Sequence, residues 1–207
     1  MPISSKTKRR IVIITFVIVL PLFLLLLGYK SALLFTDLSQ NQELVMNFIE
    51  SPQTYESSLI DLGANANEIS HLYDVKDVMA KVNIAFYILL LAISLILTFL
   101  KNKKQIKQSK QTLQRSLFYG GITSAIFPIA LALFAITSFK WLFTIFHKIF
   151  FPEGNWLFAF DSFLIQTFPI EFFITIAIKL IIFTIIYASI FITVSFLLKR
   201  EIKNTKD

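Results

Sequence analysis

Two histidines, His71 and His147, are the side chains of this 207-residue sequence best suited to pass a proton in either direction near neutrality. His147 stands in FTIFHKIFFPEGNWLFAFD, from Phe143 to Asp161, where Phe143, Phe146, Phe150, Phe151, Trp156, Phe158 and Phe160 surround it in sequence. His71 stands in SHLYDVKD, and Asp74, three residues along the same helical face, can fix one of its ring nitrogens. Glu153 and Asp161 are placed to orient His147 in the same way. Two imidazoles meeting at one membrane face would form an acid–base pair. The same residues also fit ordinary interfacial positions, or a metal site of His71, Asp74 and His147, although no HExxH or comparable spacing accompanies them. There is no cysteine, no GxSxG elbow and no phosphate-binding loop. Covalent acyl-enzyme chemistry and nucleotide-driven chemistry therefore have no support, and neither a metal nor another cofactor is expected.

The elements that must carry these histidines are membrane spans. The chain is 56% hydrophobic and only 16% charged, with a mean hydropathy of +0.70, too apolar for a water-soluble domain. Its net charge of +7 sits in blocks beside apolar runs, as the positive-inside bias requires, so no nucleic-acid partner is implied. The expected fold is an all-α membrane protein, a single integral membrane domain over 1–207 with four transmembrane helices. The spans fall at about 11–28, 82–100, 117–139 and 172–198. Between them lie an outer loop at 29–81, a basic cytoplasmic loop at 101–116 and an outer aromatic loop at 140–171, with a cytoplasmic tail at 199–207. Every basic cluster then falls on one side, which puts both termini inside and both histidines at the extracytoplasmic face. The first apolar run is longer than a leader's core and is read as a retained span.

The outer loops should fold into a small helical cap. Ser39 and Gln42 have capping-box spacing, and Leu44, Val45, Phe48 and Ile49 repeat at helical intervals, so a short amphipathic helix is expected after Ser39. Its apolar face needs a partner, either the membrane surface or the ends of other helices. A second helix, capped by Asn67 or Ser70, should run unbroken into the second span. Gly120 and Gly121 permit close helix approach in the third span, while Pro21 and Pro128 invite bends. Lys179 lies inside the last span and can snorkel toward Glu171, which makes the pair a candidate intramembrane polar site.

Four spans, the HLYDVK segment ahead of the second, and FHKIFFPEGNW followed by Asp161 and Pro169 together resemble the lipoprotein intramolecular transacylases, the Lit family. The likeness covers nearly the whole chain in layout and is specific at His71 to Lys76 and Phe146 to Pro169. It implies an acyltransferase acting on a diacylglyceryl-modified lipoprotein, moving the sn-2 acyl chain onto the α-amino group of the N-terminal cysteine. It also implies His71 and His147 as the catalytic pair, with Asp74 and Asp161 as orienting carboxylates. Tyr73, Lys76, Phe143, Phe146, Phe150, Phe151 and Trp156 become the pocket. The partners are then the lipoprotein substrate and membrane lipid, with no obligatory protein partner. Of the two histidines, His71 is the favoured base, because Asp74 would stabilise its imidazolium. The competing class is a non-enzymatic accessory or transport component, but apart from Lys179 the spans lack the deep polar pairs of a transporter. A metal-dependent lipid hydrolase is a third reading. One tension remains in the geometry: a continuous helix would hold His71 about 16 Å above Val82.

Overall fold

A computed structural model describes residues 4–100 and 106–204, and these are helical with short connections. In chain order the elements are α1 (Ser5–Leu34), α2 (Gln40–Glu50), α3 (Pro52–Asp61), α4 (Ala66–Leu100), α5 (Ile106–Phe150), α6 (Phe163–Thr167) and α7 (Ile170–Asn204). Four of them, α1, α4, α5 and α7, contain stretches long and apolar enough to cross a membrane. The helices outrun the expected spans because nothing in the flanking sequence stops them. Residues 106–116 were expected in a loop, yet Lys, Gln and Arg are good helix formers and α5 already begins at Ile106. The start of that basic segment, 101–105, and the last three residues of the tail lie outside the described residues.

The chain divides into two compact units. The first comprises Met1–Ala32, Ala85–Leu133 and Lys179–Asp207. Phe16, Leu20, Leu24, Ile93, Leu117 and Ala188 form its core. Small residues let the helices approach. A Cβ on Gly121 would stand 2.6 Å from the Ile192 side chain, and one on Gly120 would stand 2.9 Å from that of Leu20. Polar side chains also bond across these helices: Ser31 and Tyr187 share a 2.8 Å hydrogen bond, and Ser195 donates to the Gln114 carbonyl. The opposite faces are bare and apolar. Leu91 is 59% and Leu197 61% exposed, which is tolerable only against lipid. The helices continue through Pro21 and Pro128.

The second unit comprises Leu33–Ile84 and Phe134–Ile178 and holds both histidines. Ser39 caps α2 with the full reciprocal box to Gln42, whose side-chain amide also donates to the Thr167 carbonyl. The apolar stripe of α2 finds its partner in protein. Val45 and Phe48 are buried against Leu59, Ala64, Ile69, Leu72 and Leu164, drawn from α3, α4, α6 and the turn before α4. That turn starts α4 earlier than expected. Asn65, rather than Asn67 or Ser70, is the cap: its Oδ1 accepts from the amides of Asn67 and Glu68, while Glu68 Oε2 accepts from the Asn65 amide. α4 then runs without interruption to Leu100, and residues 66–81 carry too many charges to belong to its span.

Candidate active site

His147 lies on a helix. α5 leaves helical dihedrals at Ser138 (φ −149°, ψ 41°) and resumes, so the aromatic stretch from Phe143 begins as a helical arm ending at Phe150. A turn follows in which the Gly154 amide donates to the Phe151 carbonyl, with Pro152 in the second position that suits its fixed φ. Gly154 has φ +80°, a conformation that a side chain would strain. The chain thereby reverses and lays Asn155, Trp156 and Phe158 beside the two histidines.

The imidazole centroids of His71 and His147 are 6.3 Å apart, with ring planes 25° from parallel. Aromatic rings enclose them. Phe151 stands 4.7 Å and Phe158 5.5 Å from His71, both edge-on. Phe143 at 3.9 Å, Trp156 at 4.8 Å, Phe146 at 5.4 Å and Phe151 at 5.5 Å surround His147. Phe150 packs on Phe146, which in turn meets His147 edge-on. His71 is buried and His147 half-buried.

The ring nitrogens differ in their partners. Nδ1 of His147 lies 2.8 Å from the Phe143 carbonyl one turn earlier. A carbonyl can only accept, so Nδ1 carries the proton and Nε2 keeps its lone pair. This backbone bond does the orienting work expected of Glu153 and Asp161. Both carboxylates are exposed, and Asp161 instead lines a polar cavity of about 410 Å³ with Asn65, Glu68 and Ser162. Nδ1 of His71 is buried without a partner. Asp74 contacts it through an intermediary: Asn155 Nδ2 donates to Asp74 Oδ2 at 2.5 Å, and the Asn155 Oδ1 is likewise buried and unpaired. Asn155 still lies close enough to favour the charged form of His71.

Burial pushes the pKa of His71 below the ordinary imidazole value, and His147 pushes it the same way; Asn155 and then Asp74 oppose the shift more weakly. Burial also lowers His147, against its backbone bond to Phe143. Both rings are therefore neutral at pH 7 and able to accept a proton. A depressed folded pKa means that the unfolded chain binds protons first as the pH drops. The stability due to neutral burial is complete above the unfolded value of about 6.5 and is lost as the pH falls through the folded values. The unfolding midpoint in detergent should fall below pH 6.5, and the fall should shrink in His71→Gln/His147→Gln protein. An unchanged pH dependence in that variant would contradict the assignment.

Other expected site residues lie elsewhere. Tyr73 turns toward α2 and α3, meeting Phe48 edge-on and donating to Glu56 at 2.6 Å. Lys76 is half-buried on α4, outside the rings around either histidine. Of the candidate intramembrane polar pair, Glu171 is exposed in the first turn of α7 and Lys179 is half-buried two turns further along the same helix. Among the described residues no three His, Asp or Glu side chains converge as metal ligands, so His71, Asp74 and His147 do not form such a set.

The family model of the lipoprotein intramolecular transacylase Lit matches residues 9–173, most of the chain. The chain belongs to the lipoprotein intramolecular transacylase family. As a transacylase it is an acyltransferase, and the non-enzymatic reading falls. Two solved structures of the membrane integral transacylase Lit from Bacillus cereus are similar to it. One is 22% identical, covers 98% of this chain and 99% of its own, and superposes with a TM-score of 0.71. The other, carrying a histidine-to-arginine mutation, is 20% identical, covers 97% and 95%, and has a TM-score of 0.72. Likeness at this identity shows a shared all-helical, membrane-integral fold. No curated protein matches the chain.

Two residues of this transacylase escaped the reading of its sequence. Asn155 was hidden inside the FFPEGNW run, where an amide between a glycine and a tryptophan carries no periodic signal. Glu68 had a visible signal, since Asn65 and Glu68 have capping-box spacing. The Glu68 side chain is wholly buried and accepts from the amides of both Asn65 and Leu164, the latter at 2.8 Å in the first turn of α6. It ties α6 to the start of α4. Glu68→Ala would orphan the buried Leu164 amide at about 1–3 kcal/mol and take away the acceptor of the part-buried Asn65 amide, which should lower the unfolding midpoint markedly. Glu68→Gln, keeping one acceptor, should lose about half as much; equal midpoints for all three proteins would refute this role.

Proposed function

We propose that this transacylase moves the sn-2 acyl chain of a diacylglyceryl lipoprotein to the α-amino group of its own N-terminal cysteine. His71 and His147 would provide the acid–base chemistry. The observation that carries the reading is the face-to-face imidazole pair, 6.3 Å apart within a ring of aromatics, in a chain of this family.

The α-amino group, with a pKa near 8, attacks an ester as the neutral amine and must shed a proton as its bond to the carbonyl carbon forms. The tautomer of His147 suits it to this step, because its Nε2 is unprotonated and its Nδ1 is occupied by the Phe143 carbonyl. This reverses the preference for His71 drawn from Asp74. The cysteine nitrogen bonds to the ester carbonyl carbon, and its proton passes to Nε2 of His147. The resulting oxyanion needs a donor, and His71, with a buried Nδ1 free of protein partners, is suited to supply an N–H. As the carbon–oxygen bond of the glyceryl ester breaks, the imidazolium of His147 returns the proton to the departing oxygen. An amide forms, an ester breaks, and one proton changes place. No water, metal or second acyl donor enters. Mutual repulsion disfavours double protonation of the pair, which keeps one ring neutral throughout.

The ring through which the amine attacks is of medium size and unfavourable for a flexible chain. The walls of Phe143, Phe151, Trp156 and Phe158 would hold amine and ester together and exclude water, so that aminolysis prevails over hydrolysis. The clustering of basic residues supports cytoplasmic termini and a site at the extracytoplasmic face, where the substrate's headgroup lies.

Mass spectrometry of a diacylglyceryl lipoprotein co-expressed with the protein tests the reading. Migration conserves mass, so fragmentation at the cysteine must locate the chain. An N-acylated cysteine bearing a monoacylglyceryl thioether is expected with the wild type and not with His71→Ala or His147→Ala. Diacylglyceryl cysteine unchanged by well-inserted wild-type protein would overturn the proposal.

A further inference from the structure

At the basic ends of α1 and α5, within the first unit, lies a cavity of about 280 Å³ lined by two facing stripes. From α1 come Lys6, Arg9, Arg10 and Ile13; from α5 come Gln108, Gln111, Thr112 and Arg115. Each set has the spacing i, i+3, i+4, i+7, the pattern that normally forms an apolar seam between two packed helices. Here the seam carries four cations and two amides. Arg9 donates to Gln108 at 2.7 Å, and no carboxylate lines the cavity among the described residues. Glu201 pairs with Lys110, and neither is in the lining. An orientation bias explains why basic residues cluster on one side of a membrane, but any position on that side would satisfy it. It does not explain a concave site that gathers them from two helices against their mutual repulsion.

We propose that this cavity binds the phosphate headgroup of an anionic phospholipid. Arginine side chains match phosphate oxygens with paired N–H groups, and Lys6 and Arg10 add charge. The lining also selects the source of the phosphate. Ile13 is the third residue of the apolar run of α1 and sits beside Ile14, which is 59% exposed, so the site is charged at one end and borders a bare apolar surface at the other. A ligand with an anionic head and apolar tails fits both ends, whereas free phosphate fits one. Bound there, a lipid would neutralise the seam and brace α1 against α5.

Native mass spectrometry after reconstitution in mixed phosphatidylglycerol and phosphatidylcholine discriminates the outcomes. Wild-type protein should retain phosphatidylglycerol in preference to phosphatidylcholine. Arg9→Gln/Arg115→Gln should lower that retention by about tenfold or more. Lys199→Gln/Arg200→Gln, which removes the same charge at exposed positions outside the cavity, should leave it intact. Gln111→Glu guards against loss by misfolding: a carboxylate inside the seam should raise the unfolding midpoint while abolishing lipid retention. Equal loss in both double variants, or retention of both lipids alike, would overturn the site. Displacement of the lipid by millimolar inorganic phosphate would overturn the lipid assignment in favour of a free anion.

Discussion

His147→Ala should slow transacylation by about 10²–10⁴-fold, the usual contribution of a positioned general base. The relevant measurement is the initial rate on a synthetic diacylglyceryl lipopeptide, with product located by fragmentation. Because Nδ1 is held by the Phe143 carbonyl, only Nε2 can take the amine proton, and the titratable ring facing it is that of His71, 6.3 Å away between centroids. His71→Ala should also be severely impaired. The double variant should be no slower than the worse single one, since each histidine acts only in the presence of the other. A His147→Ala protein that keeps its rate within threefold of wild type would remove His147 from the chemistry.

Asn155→Ala is expected to lower kcat by about tenfold, the equivalent of one buried hydrogen bond, with KM nearly unchanged. Asp74 holds the Asn155 amide, and Asn155 in turn favours the charged form of His71. Asp74 and Asn155 therefore act as one unit. Asp74→Ala should cost a similar amount, and combining the two should add little, a non-additivity that a double-mutant cycle measures directly. A residue that only filled space would leave the titration of His71 alone. Loss of Asn155 should instead move that titration to lower pH, because the interaction raising it has gone, as NMR of labelled histidine would report. Fully additive effects, or an unmoved titration, would reduce Asn155 to a packing residue.

Much of this protein was legible in its sequence because the signals were local. Hydropathy and the blocks of lysine and arginine marked four spans, since burying a charged helix in hydrocarbon costs too much to leave ambiguity. Ser39 and Gln42 announced the start of α2, and Gly120 and Gly121 a close helix contact, because caps and missing side chains act within a turn or across one interface. The two histidines stood out by chemistry alone.

What surrounds them was decided by tertiary structure. The extra helical arm of α5 depends on Ser138 leaving and rejoining helical dihedrals, which no residue type signals. The partner of His147 is a backbone carbonyl, invisible to any search for carboxylates, so Glu153 and Asp161 were reasonable choices that the folded chain leaves exposed. Asp74 follows His71 by three residues on α4, yet the turn that carries Asn155, 81 residues further on, brings an amide onto Asp74. Spacing along one helix states which side chains share a face. Which of them meet is settled by the segment that packs on that face, and that choice belongs to the whole fold.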